Sequence, residues 1–527
     1  MARILIADQI ADQGVAMLGD DHEVTVQTGM SEDELVEAVA DISALVVRSQ
    51  TQVTERVIEA APRLEVIGRA GVGVDNIELA AATARGVVVV NAPLANTMSA
   101  TEHAFALMLA AARNVPRGDS TLREGRWERG RLQGVELAGH TLGVVGLGRI
   151  GSGVAIRARA FEMRVVAYDP FVSTERANSL GVELCSLEEL LAESDFVTLH
   201  TALHEGTRGL IGVEQFKLMK PTAYLVNTAR GALVDEQALY DAVTEGRLAG
   251  AAIDVFSEEP AIGNILTTSD RIVVTPHLAA STAEAQDRAA VDTVEQVLDV
   301  LNGRQPQFAV NAPPVDAETM MVIGPYIEAA EVAARVASQL EGGQLQGMRI
   351  EYLGEIANHE AGPLRAAAVV GVLEPVSVAK VTIVNADQVA EEHGLPVDES
   401  RGMAREPYAN LVVVHVRSES GETSIAATHT PQGVRLVGVD DYEVEIAPSV
   451  APFVLAIENV DRPGMIGRVG SLLGEWGVNV NSMSSVPGSV EGRALMALGI
   501  SRALSAEERA ELAAIDDIFT ARLIDLT

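Results

Sequence analysis

Three side chains in the middle of the chain could together handle a proton and an anion: Arg230, Glu259 and His277. Each follows an apolar run of strand type, YLVNTA before Arg230, AAIDVF before Glu259 and RIVVTP before His277. In open parallel sheets, ligands gather outside the carboxyl ends of the strands, so the three are expected on one side of a sheet. An imidazole titrates near neutrality, which suits His277 to take the proton of an alcohol. A carboxylate beside it, Glu259, would orient the ring and favour the imidazolium that forms. The guanidinium of Arg230 offers a planar fork for a carboxylate and can polarise a developing carbonyl. Such a set oxidises a hydroxy acid, provided that something else accepts a hydride.

The acceptor is written a little upstream. Gly146-Leu-Gly-Arg-Ile-Gly151 follows the strand TLGVV and opens a helix. Gly146 permits the tight turn, Gly148 lets backbone approach a pyrophosphate, and Gly151 lets helix and strand pack closely. The anion would sit at the helix N-terminus. The next strand, MRVVAYD, ends in Asp169, where an acid receives ribose hydroxyls. A carboxylate there disfavours a 2′-phosphate, so NAD is expected rather than NADP.

These residues need rigid elements to hold them. From the N-terminus, strand-type runs (RILIA, HEVTVQ, ALVVRS, LEVIGRAG, GVVVVNAP) alternate with helices expected near 10–18, 31–40 and 75–84. Continuous apolar strands separated by short helices indicate a parallel sheet covered on both faces. Residues 98–113 read as one helix with Ala100, Ala104, Leu107, Met108 and Ala111 as its apolar stripe. A second α/β block follows and ends near a helix at 281–302. The stretch 303–316, GRQPQFAVNAPPVD, is a linker candidate. Residues 317–452 are β-richer and less regular. From 453 the pattern is strand, helix, strand, strand, helix, strand, a ferredoxin-like unit.

The strings GLGRIG, NTARGALVDEQAL, GAAIDVFSEEP and TPHLAAST resemble the signatures of the D-isomer-specific 2-hydroxy-acid dehydrogenases over residues 1 to about 313. That resemblance implies catalytic roles for Arg230, Glu259 and His277. It extends the cofactor lining to Arg149, Ile150, Thr207, Thr228, Ala229, Asp254, Ala279 and Ala280, with Asp254 near the nicotinamide. It also implies a substrate-binding domain at 1–98, completed by 287–313, and an NAD-binding domain at 99–286 inserted within it. The substrate carboxylate is expected at the backbone of the loop holding Gly71, Val72 and Gly73. Arg48 and Arg69 end successive strands and are the candidates for a phosphate, with Asn96 near the crossing between blocks. Arg126-Trp-Glu-Arg129-Gly-Arg131 resembles a stretch of the phosphoglycerate dehydrogenases that approaches a neighbouring subunit's active site, which adds Arg129 and Arg131.

The tail FVLAIENVDRPGMIGRVGSLLGEWGVNVNSMSS resembles an ACT domain, a module that pairs side by side and binds amino acids at the shared interface. By resemblance, Asn459 and Asp461 in its first turn, with Asn479 across the interface, are the effector ligands, and Gly467, Gly470 and Gly474 permit close packing. Dehydrogenase, intervening regulatory domain (317–452) and ACT domain (453–527) together resemble the long-form phosphoglycerate dehydrogenases. The expected fold class is therefore α/β, two Rossmann-like doubly wound parallel-sheet domains followed by an α+β intervening domain and a ferredoxin-like ACT domain. The resemblance implies 3-phospho-D-glycerate as substrate, L-serine as effector and a homotetramer. Two other readings stand beside it: a hydroxypyruvate or glyoxylate reductase, and an NAD-sensing corepressor-like protein. Lys380, Arg401, Arg405, Arg417 and Arg435 are possible anion contacts whose spacing shows no site.

Bulk properties agree. Apolar and charged shares of 48% and 21% are ordinary for globular chains. No run approaches the ~20 apolar residues of a membrane span, and the N-terminus reads as a strand rather than a signal peptide. A single cysteine, Cys185, excludes an internal disulfide and a cysteine-cluster metal site and fits a reducing cytoplasm; no metal is expected. The net charge of −35 argues against nucleic-acid binding. It also repels anions at long range, so an anionic substrate needs a local cluster of arginines.

Overall fold

The computed structural model describes every residue except Asp20, Gln305, Pro314, Asp316, Val378, Ala379 and Thr527. Three of these belong to the linker expected at 303–316 and lie outside the described residues.

Five short strands rich in Val, Ile and Leu form the first sheet: β1 (Arg3–Ile6), β2 (Glu23–Val26), β3 (Ala44–Val47), β4 (Val66–Arg69) and β5 (Val88–Asn91). All pair in parallel, in the order β2-β1-β3-β4-β5. Side chains alternate between two cores, as the pleat requires. Ile4, Ile6, Val46, Val66, Val88 and Val90 meet Ala290, Val294 and Val297 of the helix Ala283–Leu301. Leu5, Leu45, Val47, Ile67 and Val89 meet Leu35, Val57, Ile58 and Ala82 from helices on the other face. The helix Ala283–Leu301 comes from beyond the second sheet and lies very close over β4. A Cβ on Gly68 would stand 2.6 Å from Val297, so only glycine lets it dock there.

The second sheet holds β6 (Thr141–Val145), β7 (Arg164–Tyr168), β8 (Glu183–Leu184), β9 (Phe196–Leu199), β10 (Tyr224–Asn227), β11 (Gly250–Ile253) and β12 (Ile272–Val274). It is parallel throughout, in the order β12-β11-β10-β9-β6-β7-β8. The helix expected at 98–113 spans Thr97–Ala112 and buries Ala104, Leu107, Met108 and Ala111 against this sheet. Strand order reverses between β1 and β3 in the first sheet and between β6 and β9 in the second. Such switch points are where open α/β sheets bind ligands.

A third, mixed sheet comprises β13 (Leu345–Gly354), β14 (Val397–Gly402), β15 (Asn410–Ser418), β16 (Glu422–Thr430), β17 (Gly433–Val439) and β18 (Tyr442–Ile446), in the order β14-β13-β15-β16-β17-β18. Helices Ile327–Glu341 and Gly362–Leu373 pack over it. The fourth sheet is antiparallel: β19 (Phe453–Val460), β20 (Val480–Pro487), β21 (Arg493–Ile500) and β22 (Ile518–Asp525), in the order β20-β21-β19-β22. With helices Met465–Glu475 and Ala506–Ala513 it forms the expected strand, helix, strand, strand, helix, strand unit. The fold class is thus the one anticipated.

The third unit also touches the first sheet. Ile383 and Val384 pack in the core that holds Ile4, Val66 and Val90. Thr382 donates its hydroxyl to the Gly86 carbonyl at 3.1 Å, and Lys380 pairs with Glu65 at 3.8 Å. Gly86 has φ +67°, and its Cβ position already lies 3.1 Å from both Thr382 and Asn385. No helix among the described residues is long and apolar enough to cross a membrane.

Candidate active site

The carboxyl ends of the two parallel sheets face a shared cleft of about 1390 Å³. Arg48, Arg69, the loop Gly71–Gly73, Asn96, Arg230, Glu259, His277 and Ala280 all line it.

His277 follows β12 by three residues and has φ +56°, a left-handed conformation that costs a non-glycine residue about 1 kcal/mol or more. Its backbone N–H donates to the Asp254 carbonyl at 2.8 Å, which holds that conformation. The ring Nδ1 lies 2.8 Å from Glu259 Oε2. A carboxylate can only accept, so Nδ1 carries the hydrogen and Nε2 keeps its lone pair. Glu259 in turn accepts the Phe256 N–H at 3.0 Å. Glu236 braces the same loop, accepting the N–H and hydroxyl of Ser257 at 2.7 and 2.6 Å.

Partial burial pushes the Glu259 carboxyl up, but the bonds from His277 and Phe256 outweigh it and hold the group below the usual range. A carboxylate depressed by folding contributes stability above its unfolded value, near 4.5, and loses it as pH falls through the lower folded value. Glu259→Gln is therefore expected to flatten the fall of melting temperature below pH 4.5, read by differential scanning fluorimetry. An acid limb identical to that of the unmodified protein would show that the pair contributes no such linkage.

Asp254 directly follows β11 and is completely buried. Its carboxylate accepts the Thr275 hydroxyl (2.6 Å), the N–H groups of Leu278 (2.7 Å) and Ala279 (2.9 Å), and His103 Nε2 (3.1 Å). It therefore faces the loop carrying His277.

The arginines converge. Arg69 is largely buried, and its Nε has no partner among the described residues. Burial, then the neighbouring Arg230 and Arg48, lower its pKa to about 10. A Cβ on Gly71 would fall 1.7 Å from Arg69 Nη1, and one on Gly73 would fall 2.3 Å from Arg230 Nη2. The two guanidinium groups thus lie directly against this loop. Arg230 pairs with Asp75 at 3.3 Å and donates to the Ala229 carbonyl at 2.7 Å. Asp8 holds the Arg48 backbone, accepting its N–H at 2.6 Å. Three cations around one space, in a chain of charge −35, make an anion trap.

The glycine motif has the geometry that NAD requires. Gly146 has φ +91°, and a Cβ there would meet the His200 backbone at 2.8 Å. On Gly151 a Cβ would collide with the Gly146 carbonyl, whereas around Gly148 the space is open. Gly148 caps the helix Arg149–Ala160, with Gly148 and Arg149 exposed and Ile150 half-buried. Asp169 accepts the N–H of Leu147 at 2.8 Å, which leaves lone pairs for a ribose hydroxyl. The Thr228 hydroxyl is buried without a partner among the described residues. Thr207 shapes its own turn, accepting the His204 N–H and donating to the Ala202 carbonyl. Ala229 and Ala279 flank the loops already described.

Some expected residues lie elsewhere. Arg129 and Arg131 form an exposed turn beside the exposed Trp127, outside the cleft of their own chain. Asn459 is buried, with Oδ1 unpartnered among the described residues, Asp461 follows it, and Asn479 is exposed and bonded to Asn481. Lys380, Arg401, Arg405 and Arg435 each engage separate partners and do not converge. Sequence reasoning missed Asp8, Glu236, Asp75 and His103. For His103 a signal existed: it lies on the apolar stripe of its helix, where a polar group needs a buried partner.

Residues 105–279 match the NAD-binding domain of the D-isomer-specific 2-hydroxyacid dehydrogenases, and residues 322–440 match the D-3-phosphoglycerate dehydrogenase intervening domain. D-3-phosphoglycerate dehydrogenase of Methanocaldococcus jannaschii is 41% identical, covering 100% of both chains. Its namesake from Archaeoglobus fulgidus is 41% identical over 99% of this chain and 100% of that protein. Among solved structures, D-lactate dehydrogenase from Aquifex aeolicus in complex with NAD and lactic acid superimposes with a TM-score of 0.54 at 29% identity, covering 59% of this chain and 100% of that one.

Proposed function

Since this chain belongs to the D-3-phosphoglycerate dehydrogenases, within the D-isomer-specific 2-hydroxy-acid dehydrogenases, we propose how its own residues share the work of that reaction. The chain is an NAD-dependent oxidoreductase that converts 3-phospho-D-glycerate to 3-phosphooxypyruvate, the first step of L-serine biosynthesis. NAD⁺, when bound, supplies the hydride acceptor. Gly146, Gly148 and Gly151 form its pyrophosphate cradle, Asp169 takes the ribose hydroxyls, and Thr228 offers its free hydroxyl. The N–H groups of Gly71–Gly73, together with Arg230, bind the substrate carboxylate. Arg48 and Arg69 bind the phosphate.

His277 Nε2 removes the hydroxyl proton, while Glu259 holds the Nδ1–H and stabilises the imidazolium. Arg230 stabilises charge on the developing carbonyl oxygen. The observation that carries this reading is one cleft holding a His277–Glu259 pair at 2.8 Å opposite three converging arginines.

In the same reading, residues 1–98 with 287–313 are the substrate-binding domain and 99–286 the NAD-binding domain. Residues 317–452 are a regulatory intervening domain and 453–527 an ACT domain. Asn459, Asp461 and the Asn479 of a neighbouring subunit bind L-serine in a cytoplasmic homotetramer, whose assembly brings Arg129 and Arg131 to an adjacent cleft. The test is NADH formation from 3-phospho-D-glycerate with the keto product trapped, with and without L-serine. Serine is expected to suppress turnover. Turnover indifferent to serine would remove the effector from this reading and leave the catalytic assignment standing.

A further inference from the structure

Helix Thr97–Ala112 begins directly after Asn96, in the cleft, and is the first element the chain lays on the second sheet. Midway along its buried face stands His103. Its Nε2 lies 3.1 Å from Asp254 Oδ1 and 3.4 Å from the Thr275 hydroxyl. Asp254 is completely buried and anchors both the backbone and the side chains of the segment 275–279, including the left-handed His277. We propose that His103 is a positioning residue: its Nε2–H keeps Asp254 ionised, and Asp254 in turn fixes the loop that carries the catalytic histidine.

The chemistry requires such a donor. A buried carboxylate is costly unless every lone pair is satisfied. Burial alone pushes Asp254 up, yet the bonds from His103, Thr275, Leu278 and Ala279 together hold it below the usual range. The other titratable groups facing this region are Glu259, which feels the Asp254 charge, and His277 itself. Among the described residues His103 is the one donor to the Asp254 carboxylate from outside the segment 254–279, so it ties the catalytic loop to the helix that leaves the cleft.

This inference rests on His277 as the base, and the two are tested side by side in the full-length protein. His103→Ala is expected to lower kcat about tenfold with KM for 3-phospho-D-glycerate nearly unchanged. Its pH profile for oxidation should also gain a second ionisation on the acid side, because Asp254 must now lose a proton as well. His103→Gln keeps an N–H near the same position and should restore both. Thr275→Val, which removes a different donor from the same oxygen, should show the same added ionisation. Unaltered kcat and a single ionisation in folded His103→Ala would overturn the proposal, as would His103→Gln being as impaired as His103→Ala. Full activity in a His277→Gln control would instead overturn the assignment of the base, whatever His103 does.

Discussion

His277→Gln is expected to lower kcat for 3-phospho-D-glycerate oxidation about a thousandfold while KM stays within a few fold of its starting value. Glutamine matches the reach of the imidazole but has no basic lone pair, so the substitution removes the proton acceptor. A base must be unprotonated to act, so the rate of the unmodified protein is expected to rise with pH, and the residual rate of the variant should lack that rise. Steady-state kinetics across pH decide the matter. A loss smaller than tenfold, or an unchanged pH profile, would mean that another group takes the proton.

Arg69→Met has the second large effect, and in two directions. The Arg69 guanidinium is desolvated, lacks a partner at Nε among the described residues, and is repelled by Arg230 and Arg48; desolvation and repulsion together lower its pKa to about 10. Without an anion it weakens the fold, and with one it becomes a charge-assisted anchor. Methionine fills similar space without the charge. The ligand-free variant should melt at or above the temperature of the unmodified protein. Its kcat/KM should fall about a hundredfold, the loss of one strong charged hydrogen bond. 3-Phospho-D-glycerate should raise the melting temperature of the unmodified protein and leave that of the variant nearly unchanged. A variant that melts lower yet binds normally would place Arg69 among structural residues.

The first 313 residues and the last 75 were readable because their elements obey simple periods. Strands such as Ala44–Val47 are wholly apolar because helices cover both faces, and the glycine motif sits where a strand meets a helix. The intervening unit resisted for a physical reason. In the helix Gly362–Leu373, every residue from Ala366 to Leu373 is buried, so no polar face marks the helical period. A Cβ on Gly371 would stand 2.2 Å from the Glu331 carbonyl, so that glycine serves close helix packing although it reads as a breaker. At the site, sequence supplied the reacting groups but not their supports. Asp8, Glu236 and His103 act through backbone atoms or buried oxygens, relations that no spacing along the chain encodes.

The small segment around Thr382, Ile383 and Val384, lodged in the first sheet's core, bears on how such a chain can be taken apart. The Aquifex dehydrogenase accounts for only 59% of this chain, so the catalytic architecture exists elsewhere without the tail. Here the two are not simply strung together. Excising everything after residue 313 would uncover greasy surface on the first sheet and strip Gly86 of its cover, leaving a fragment prone to stick to itself. The extension is therefore a graft that has healed into its host, and a cut at the seam wounds both sides.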